Sequence, residues 1–133
     1  MDNKLKNNMD NLDVCKDIMA EIFDEFGCGF EEKVYQEAFE YSLEDRHIFK
    51  HRPFVILQWK GRDLSYMQID IEAGLNDKVI VEIKAMSKKL NKKDRLQVEH
   101  YMKARGVSKG LLVNFGRLNT NNPNEPDYQV LSS

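Results

Sequence analysis

In the stretch VIVEIKA (79–85), Glu82 and Lys84 place an acid and an amine inside an aliphatic run of the kind that makes a buried β-strand. Side chains alternate along a strand, so Val79, Val81 and Ile83 face one way and Ile80, Glu82 and Lys84 the other. At a rise of roughly 3.3 Å per residue the two charged positions lie about 6.6 Å apart. An unpaired charge in a dry core costs several kcal/mol even after relaxation. The pair therefore lies near solvent, as a salt bridge at a strand end, or meets a divalent cation, for which a carboxylate is a good ligand.

A second acid bears on that choice. Asp70 precedes Glu82 by twelve residues, in YMQIDIEAG, and its neighbours Ile69 and Ile71 are expected on the opposite side of the same strand. If that strand and VIVEIKA form a hairpin through GLNDK (74–78), Asp70 returns close to Glu82. Two carboxylates with an amine beside them are a minimal site for a hard cation such as Mg²⁺, which keeps several waters. Such an ion acidifies water and polarises a phosphoryl oxygen. A lysine there would orient or activate the attacking water and stabilise developing charge. Taken singly, Asp70 reads as a solvated acid near a turn.

The elements that must position these residues follow from periodicity. Leu12, Cys15, Ile18, Met19, Ile22, Phe23 and Phe26 recur at helical spacing, and Gly27 and Gly29 end that helix. A second helix is predicted from about Glu31 to Asp45, with Val34, Tyr35, Ala38, Phe39 and Ser42 on one face. PFVILQW (53–59) reads as a strand, KGRD (60–63) as a tight turn, and LSYMQIDIEA (64–73) as a strand of period two. VIVEIKA is the third strand. A third helix fits Leu90 to Ala104, stopped by Gly106, and KGLLVNFG (109–116) is the fourth strand. The tail RLNTNNPNEPD reads as loop and YQVL (128–131) as a last short strand. The first three strands are expected to be antiparallel. The third and fourth, joined through a helix, are expected to be parallel neighbours. The fold class is mixed α/β, a central sheet flanked by helices in the order helix, helix, three strands, helix, strand. Residues 1–10 are a polar, Asn-rich tail and 11–133 one domain.

Composition narrows the partners. The chain has 133 residues, 41% apolar and 32% charged, with a net charge of −2. There is no global basic field, so contact with phosphates must come from a local patch. Cys15 and Cys28 lack zinc-type spacing and read as free thiols of a reducing compartment. His47, His51 and His100 have no metal spacing and read as surface or boundary residues. No apolar run approaches the roughly 18 residues of a membrane span, and the N-terminus has no signal-type apolar segment. An intracellular, cytoplasmic or nuclear protein with no membrane partner is expected.

Asp70 followed by Glu82-Ile83-Lys84 resembles the D…(D/E)xK signature of the PD-(D/E)xK nuclease superfamily. Gly29-Phe30-Glu31-Glu32-Lys33-Val34-Tyr35 matches G-x-x-E-x-x-Y. The chain is similar over about residues 14–116 to the GxxExxY proteins, a small single-domain branch of that superfamily. The likeness includes the FGCG loop, the VIVEIKA strand, the LQVEHYMKARG helix and the LLVNFG strand. It implies a restriction-endonuclease-like core. It further implies that Asp70, Glu82 and Glu32 are metal ligands for Mg²⁺ or Mn²⁺ and catalytic carboxylates, that the Ile83 backbone carbonyl is a further ligand, and that Lys84 is the catalytic lysine. The chain departs from the pattern at Cys28, where proline is common, and at Gln68-Ile69, where an Arg-Ala pair is common. From the residues alone, Glu32 is equally a helix-start acid favoured by the macrodipole, and Gly29 and Tyr35 are a turn glycine and a core tyrosine.

Gln97 and Tyr101 lie four apart and share a helix face. In several nuclease branches a Q-x-x-x-Y motif of this shape lies beside the metal site, touching substrate or the catalytic lysine; a boundary Gln and a buried Tyr would fit as well. The run KAMSKKLNKKDR supplies Lys88, Lys89, Lys92 and Lys93, which could hold a phosphate backbone or form a solvated helix start. RHIFKHR (46–52) is a weaker basic cluster. The reading that unites these features is a metal-dependent nuclease hydrolysing phosphodiesters, with DNA expected ahead of RNA. The alternative is a catalytically silent nuclease-like fold that binds nucleic acid or protein. A structural homodimer, through a sheet edge such as 53–59, is a third expectation.

Overall fold

The computed structural model describes residues 9–133. The predicted polar tail lies outside the described residues except for Met9 and Asp10. Asp10 is the N-cap of α1 (Asn11–Phe26), its carboxylate accepting from Asp13 N at 2.8 Å. The helix buries Cys15, Ile18, Met19, Ile22 and Phe23, the face its periodicity predicts. Helix α2 (Glu32–Asp45) buries Tyr35, Phe39 and Leu43.

Five strands form the main sheet. They are β1 (Lys50–His51), β4 (Ile71–Ala73), β5 (Val79–Lys84), β6 (Lys109–Leu118) and β7 (Pro126–Ser132), in the order β1-β4-β5-β6-β7. Strands β5 and β6 are parallel neighbours, joined through α3 (Lys92–Arg105), and every other pair is antiparallel. This is the expected mixed sheet flanked by helices. Helices α1 and α2 cover one face, over Ile71, Val79, Val81, Ile83, Leu111 and Val113. Helix α3 covers the other, where Val98, Tyr101 and Met102 pack with Ile69, Ile80 and Leu112. Alternation along β5 thus holds residue by residue.

The predicted strand 64–73 is two strands in different sheets. β2 (Phe54–Trp59) and β3 (Arg62–Gln68) form a separate antiparallel hairpin through a two-residue turn at Lys60-Gly61, so Arg62 and Asp63 belong to β3 rather than to the turn. The chain leaves that hairpin at Ile69-Asp70 and enters the main sheet at Ile71. Ile69 and Ile71 consequently point into opposite cores instead of sharing a side. The cause is tertiary: Ile69 N donates to Pro53 O at 2.9 Å, while Asp70 O accepts from Gln36 Nε2 at 2.8 Å and Arg52 Nε at 3.2 Å. No ladder partner is left for either residue.

Smaller differences have local causes. Strand β1 falls within the stretch read as a basic cluster, its two residues pairing with Ala73 and Glu72. Helix α3 starts at Lys92, because Asn91 and Asp94 form a reciprocal capping box and Leu90 N is held by Asp127 Oδ2 at 3.0 Å. β6 and β7 run longer than predicted because each extends along the other to Leu118–Pro126. Cys15 and Cys28 are free thiols; burial pushes the Cys15 thiol up to about 12, which leaves it unreactive.

Tyr35 ties the first loop to the core. Its hydroxyl donates to Gly27 O at 2.6 Å and accepts from Phe30 N at 3.3 Å, and its ring stacks on Phe115 at 4.5 Å. Gly27 and Gly29, at φ 59° and 110°, turn the chain in a region where L side chains are strained. The G-x-x-E-x-x-Y spacing therefore has a structural content, since the tyrosine fastens the loop that starts α2. Tyr35→Phe keeps the stacked ring and leaves both backbone groups without this partner. It is expected to lower stability by about 1–2 kcal/mol in urea unfolding.

Candidate active site

Asp70 directly precedes β4, the neighbour of the strand β5 that carries Glu82. Ile71 pairs with Val81, so the antiparallel register carries Asp70 opposite Glu82. Asp70 Oδ2 accepts from Ile83 N at 2.8 Å, which pins its carboxylate to β5 at the peptide that follows Glu82. Gln36 and Arg52 fix its carbonyl, as above, and Arg52 Nη2 lies 3.9 Å from Asp70 Oδ1. Glu82 is 5% exposed. Lys84 Nζ stands 3.6 Å from Glu82 Oε2 and donates to Gln97 Oε1 at 3.3 Å, and Gln97 Nε2 donates to Tyr101 Oη at 3.1 Å. One polar chain thus runs from Glu82 through Lys84 and Gln97 to the buried Tyr101.

Electrostatics make this an unbalanced cluster. Burial, with the neighbouring Asp70 charge, pushes the Glu82 carboxyl up to about 8; Lys84 opposes that rise only in part, and Glu32 adds to it. Glu82 Oε1 is buried and has no hydrogen-bond partner among the described residues. A buried, partnerless carboxylate oxygen is costly. Glu32, the first residue of α2, is exposed, yet burial of its carboxyl and the Asp70 charge raise its pKa and Lys84 lowers it. It is therefore an electrostatic neighbour of the pair. Tyr101 is raised by burial and by Glu82.

The predicted residues divide by position. Asp70, Glu82, Ile83, Lys84, Gln97 and Tyr101 are brought together, with Glu32 within electrostatic reach. Among the described residues, no three His, Cys, Asp or Glu side chains converge into a ready-made metal cage. The donors present are still of the right kind for a hard divalent ion: carboxylate oxygens, one of them lacking any partner. Lys88 and Lys93 line a groove that also contains Lys84 and Gln97, whereas Lys89 and Lys92 are exposed outside it.

Several positioning groups escape the sequence reading. Gln36, one helical turn after Glu32, joins α2 to Asp70. Asn114, fully buried on β6, binds Met86 N at 2.9 Å, Met86 O at 3.0 Å and Lys88 O at 2.8 Å. It fixes the loop between Lys84 and the basic run. Gly116 permits this closeness, since a Cβ there would lie 2.5 Å from Met86 N and O. Glu72, completely buried, accepts from Arg105 Nε and Nη2 at 2.7 and 3.1 Å and lies 2.8 Å from His51 Nε2 and 3.7 Å from Lys78 Nζ. His51, half-buried at the sheet boundary, thus touches this buried carboxylate. For Glu72, the available signal was its place between Ile71 and Ala73 in an apolar strand.

No described helix is long and apolar enough to cross a membrane. Comparison with curated proteins and with solved structures yields no match. A family model described as the PD-(D/E)XK nuclease superfamily matches residues 10–125, a span that contains both helices before the sheet, the acidic pair and Lys84. With that span covering most of its 133 residues, the chain belongs to the PD-(D/E)XK nuclease superfamily, whose nucleases generally use divalent metal ions.

Proposed function

We propose that this chain is a divalent-metal-dependent nuclease of the GxxExxY branch, hydrolysing phosphodiester bonds, with DNA preferred to RNA. The observation that carries the reading is the buried Glu82 carboxylate, one oxygen partnerless, opposite Asp70 and beside Lys84. Asp70 and Glu82, with the Ile83 carbonyl and Glu32 as further donors, would hold Mg²⁺ or Mn²⁺. When bound, the ion supplies charge that acidifies water and polarises a phosphoryl oxygen. Lys84 orients the attacking water and faces the charge that develops on the phosphate. Gln97, bonded to both Lys84 and Tyr101, holds the ammonium in place. Lys88, Lys89, Lys92 and Lys93 meet the polynucleotide backbone by charge.

The competing reading, a silent fold that binds nucleic acid or protein, draws support from the absence of a third converging carboxylate among the described residues. A homodimer through the hairpin draws support from its outward face, where Phe54, Ile56, Leu64 and Tyr66 are all exposed; light scattering checks it. Cleavage of plasmid and short single strands with Mg²⁺, Mn²⁺ or EDTA decides between enzyme and binder. Lys84→Ala is expected to lower the metal-dependent rate by about 100- to 1,000-fold. Activity that survives both Lys84→Ala and Asp70→Ala would show that the site lies elsewhere.

A further inference from the structure

The groove that opens onto Lys84 has walls of a kind that the phosphodiester exterior of a duplex does not need. It has a volume of about 640 Å³ and runs between the β2–β3 hairpin and the start of α3. Leu57 and Met67 form the hairpin wall, Met86 and Leu96 contribute apolar surface from the loop and α3, and Lys88 and Lys93 stand as cations among them. The hairpin is held in place because Val55 is buried and Met67 packs against the second core. Leu96, by contrast, is 48% exposed in the second turn of α3 and belongs to neither buried core.

We infer that this groove takes an unpaired polynucleotide strand, its bases against the apolar walls and its phosphates on the lysines, and that the substrate is single-stranded or carries a single-stranded flap. The inference rests on the nuclease reading for its catalytic half. A paired duplex turns sugars and phosphates outward and keeps its base faces stacked inside, so its polar exterior would be desolvated against apolar walls, which is costly. An unpaired base exposes both faces, which the apolar walls and the His100 ring of the groove can cover with little regard to sequence. Methionine suits such a wall, since its flexible thioether adapts to rings of different shape. Lysines beside apolar surface match the alternation of phosphate and base along one strand. Asp94, the acid in the groove, is engaged in the capping box with Asn91.

Fluorescein-labelled 12-mers provide the test, as single-stranded DNA, single-stranded RNA and the matching DNA duplex, titrated by anisotropy without metal at two salt concentrations. The same oligonucleotides, and a duplex with a flap, are then incubated with Mn²⁺. Single strands are expected to bind at least about tenfold more tightly than duplex, and cleavage to fall in unpaired segments; the DNA and RNA arms decide which strand is preferred. Leu96→Glu should weaken single-strand binding about tenfold by adding charge against phosphate. Leu96→Ala, which adds none, should weaken it to a smaller degree, and circular dichroism confirms that both fold. Duplex bound as tightly as single strand, or single-strand affinity indifferent to both Leu96 variants, would overturn the groove assignment even if cleavage is seen. Selective single-strand binding with no cleavage under any metal would instead support the groove and sink the nuclease reading.

Discussion

Glu82→Gln is expected to abolish metal-dependent cleavage, by about a thousandfold or more, and to make the metal-free protein more stable. The two effects have one origin. Glu82 is buried opposite another acid, and its carboxyl is pushed from 4.5 up to about 8. Below pH 4.5 the group is protonated in folded and unfolded chains alike and adds no penalty. Between 4.5 and about 8 the unfolded chain loses the proton and the folded chain keeps it, so stability falls as pH rises. Above about 8 the penalty is complete. Glutamine does not ionise and retains the size of the side chain. At pH 8 in EDTA the variant should therefore unfold at a temperature about 5–10 °C above wild type, and the gap should shrink towards pH 5. Added Mg²⁺ should raise the melting temperature of the wild type more than that of the variant, which keeps Asp70 but loses the second strand-borne carboxylate. A variant that melts at or below the wild-type temperature at pH 8 would show that Glu82 is not held against its preferred ionisation, and the electrostatic case for a cation there would fail.

How far this site was legible in the sequence depends on which interactions define each part. Periodicity along one element was enough for α1, α2, β5 and β6, because each buries a face set by its own residues. The Asp70–Glu82 juxtaposition was legible because a short turn, GLNDK, fixes an antiparallel register that brings Asp70 back beside β5, where its bond to Ile83 N then holds it. Gln97 and Tyr101 were legible as a shared helix face, though the bonds from Gln97 to Lys84 and to Tyr101 needed coordinates. The break at Ile69-Asp70 was not legible. The run LSYMQIDIEA alternates without a glycine or proline, and only contacts from Pro53, Gln36 and Arg52 divert it. Strand β1 has two residues and no pattern of its own; it exists because β4 offers an edge. The groove beside Lys84 was invisible for the same reason, since its hairpin wall was assigned to the main sheet.

Glu72→Gln is expected to do the reverse of Glu82→Gln, destabilising the fold at neutral pH by about 3 kcal/mol and flattening its acid unfolding. Both glutamates lie on the α3 face of the sheet, Glu72 paired with Ile80 in the register that sets Glu82 opposite Asp70. Their surroundings differ. Burial alone would raise Glu72, but the Arg105 fork and the His51 contact outweigh it and hold the carboxyl down at about 2. Its stabilising contribution is thus complete above the unfolded value of 4.5 and is lost as pH falls from there towards 2. Wild type should lose stability steeply across that window, while the variant, with nothing to protonate there, should lose less; urea midpoints at pH 7, 4 and 2.5 measure the difference. Equal slopes for the two proteins would show that Arg105 and His51 do not hold Glu72 ionised. Activity should fall far less than in Glu82→Gln when measured where both proteins are folded, because α3 is also anchored by the buried Val98, Tyr101 and Met102. Of two acids buried on one face, one is matched by cations from within the chain, and the other keeps a partnerless oxygen beside a single ammonium. The fold stabilises the first as an ion and leaves the second in need of positive charge from outside.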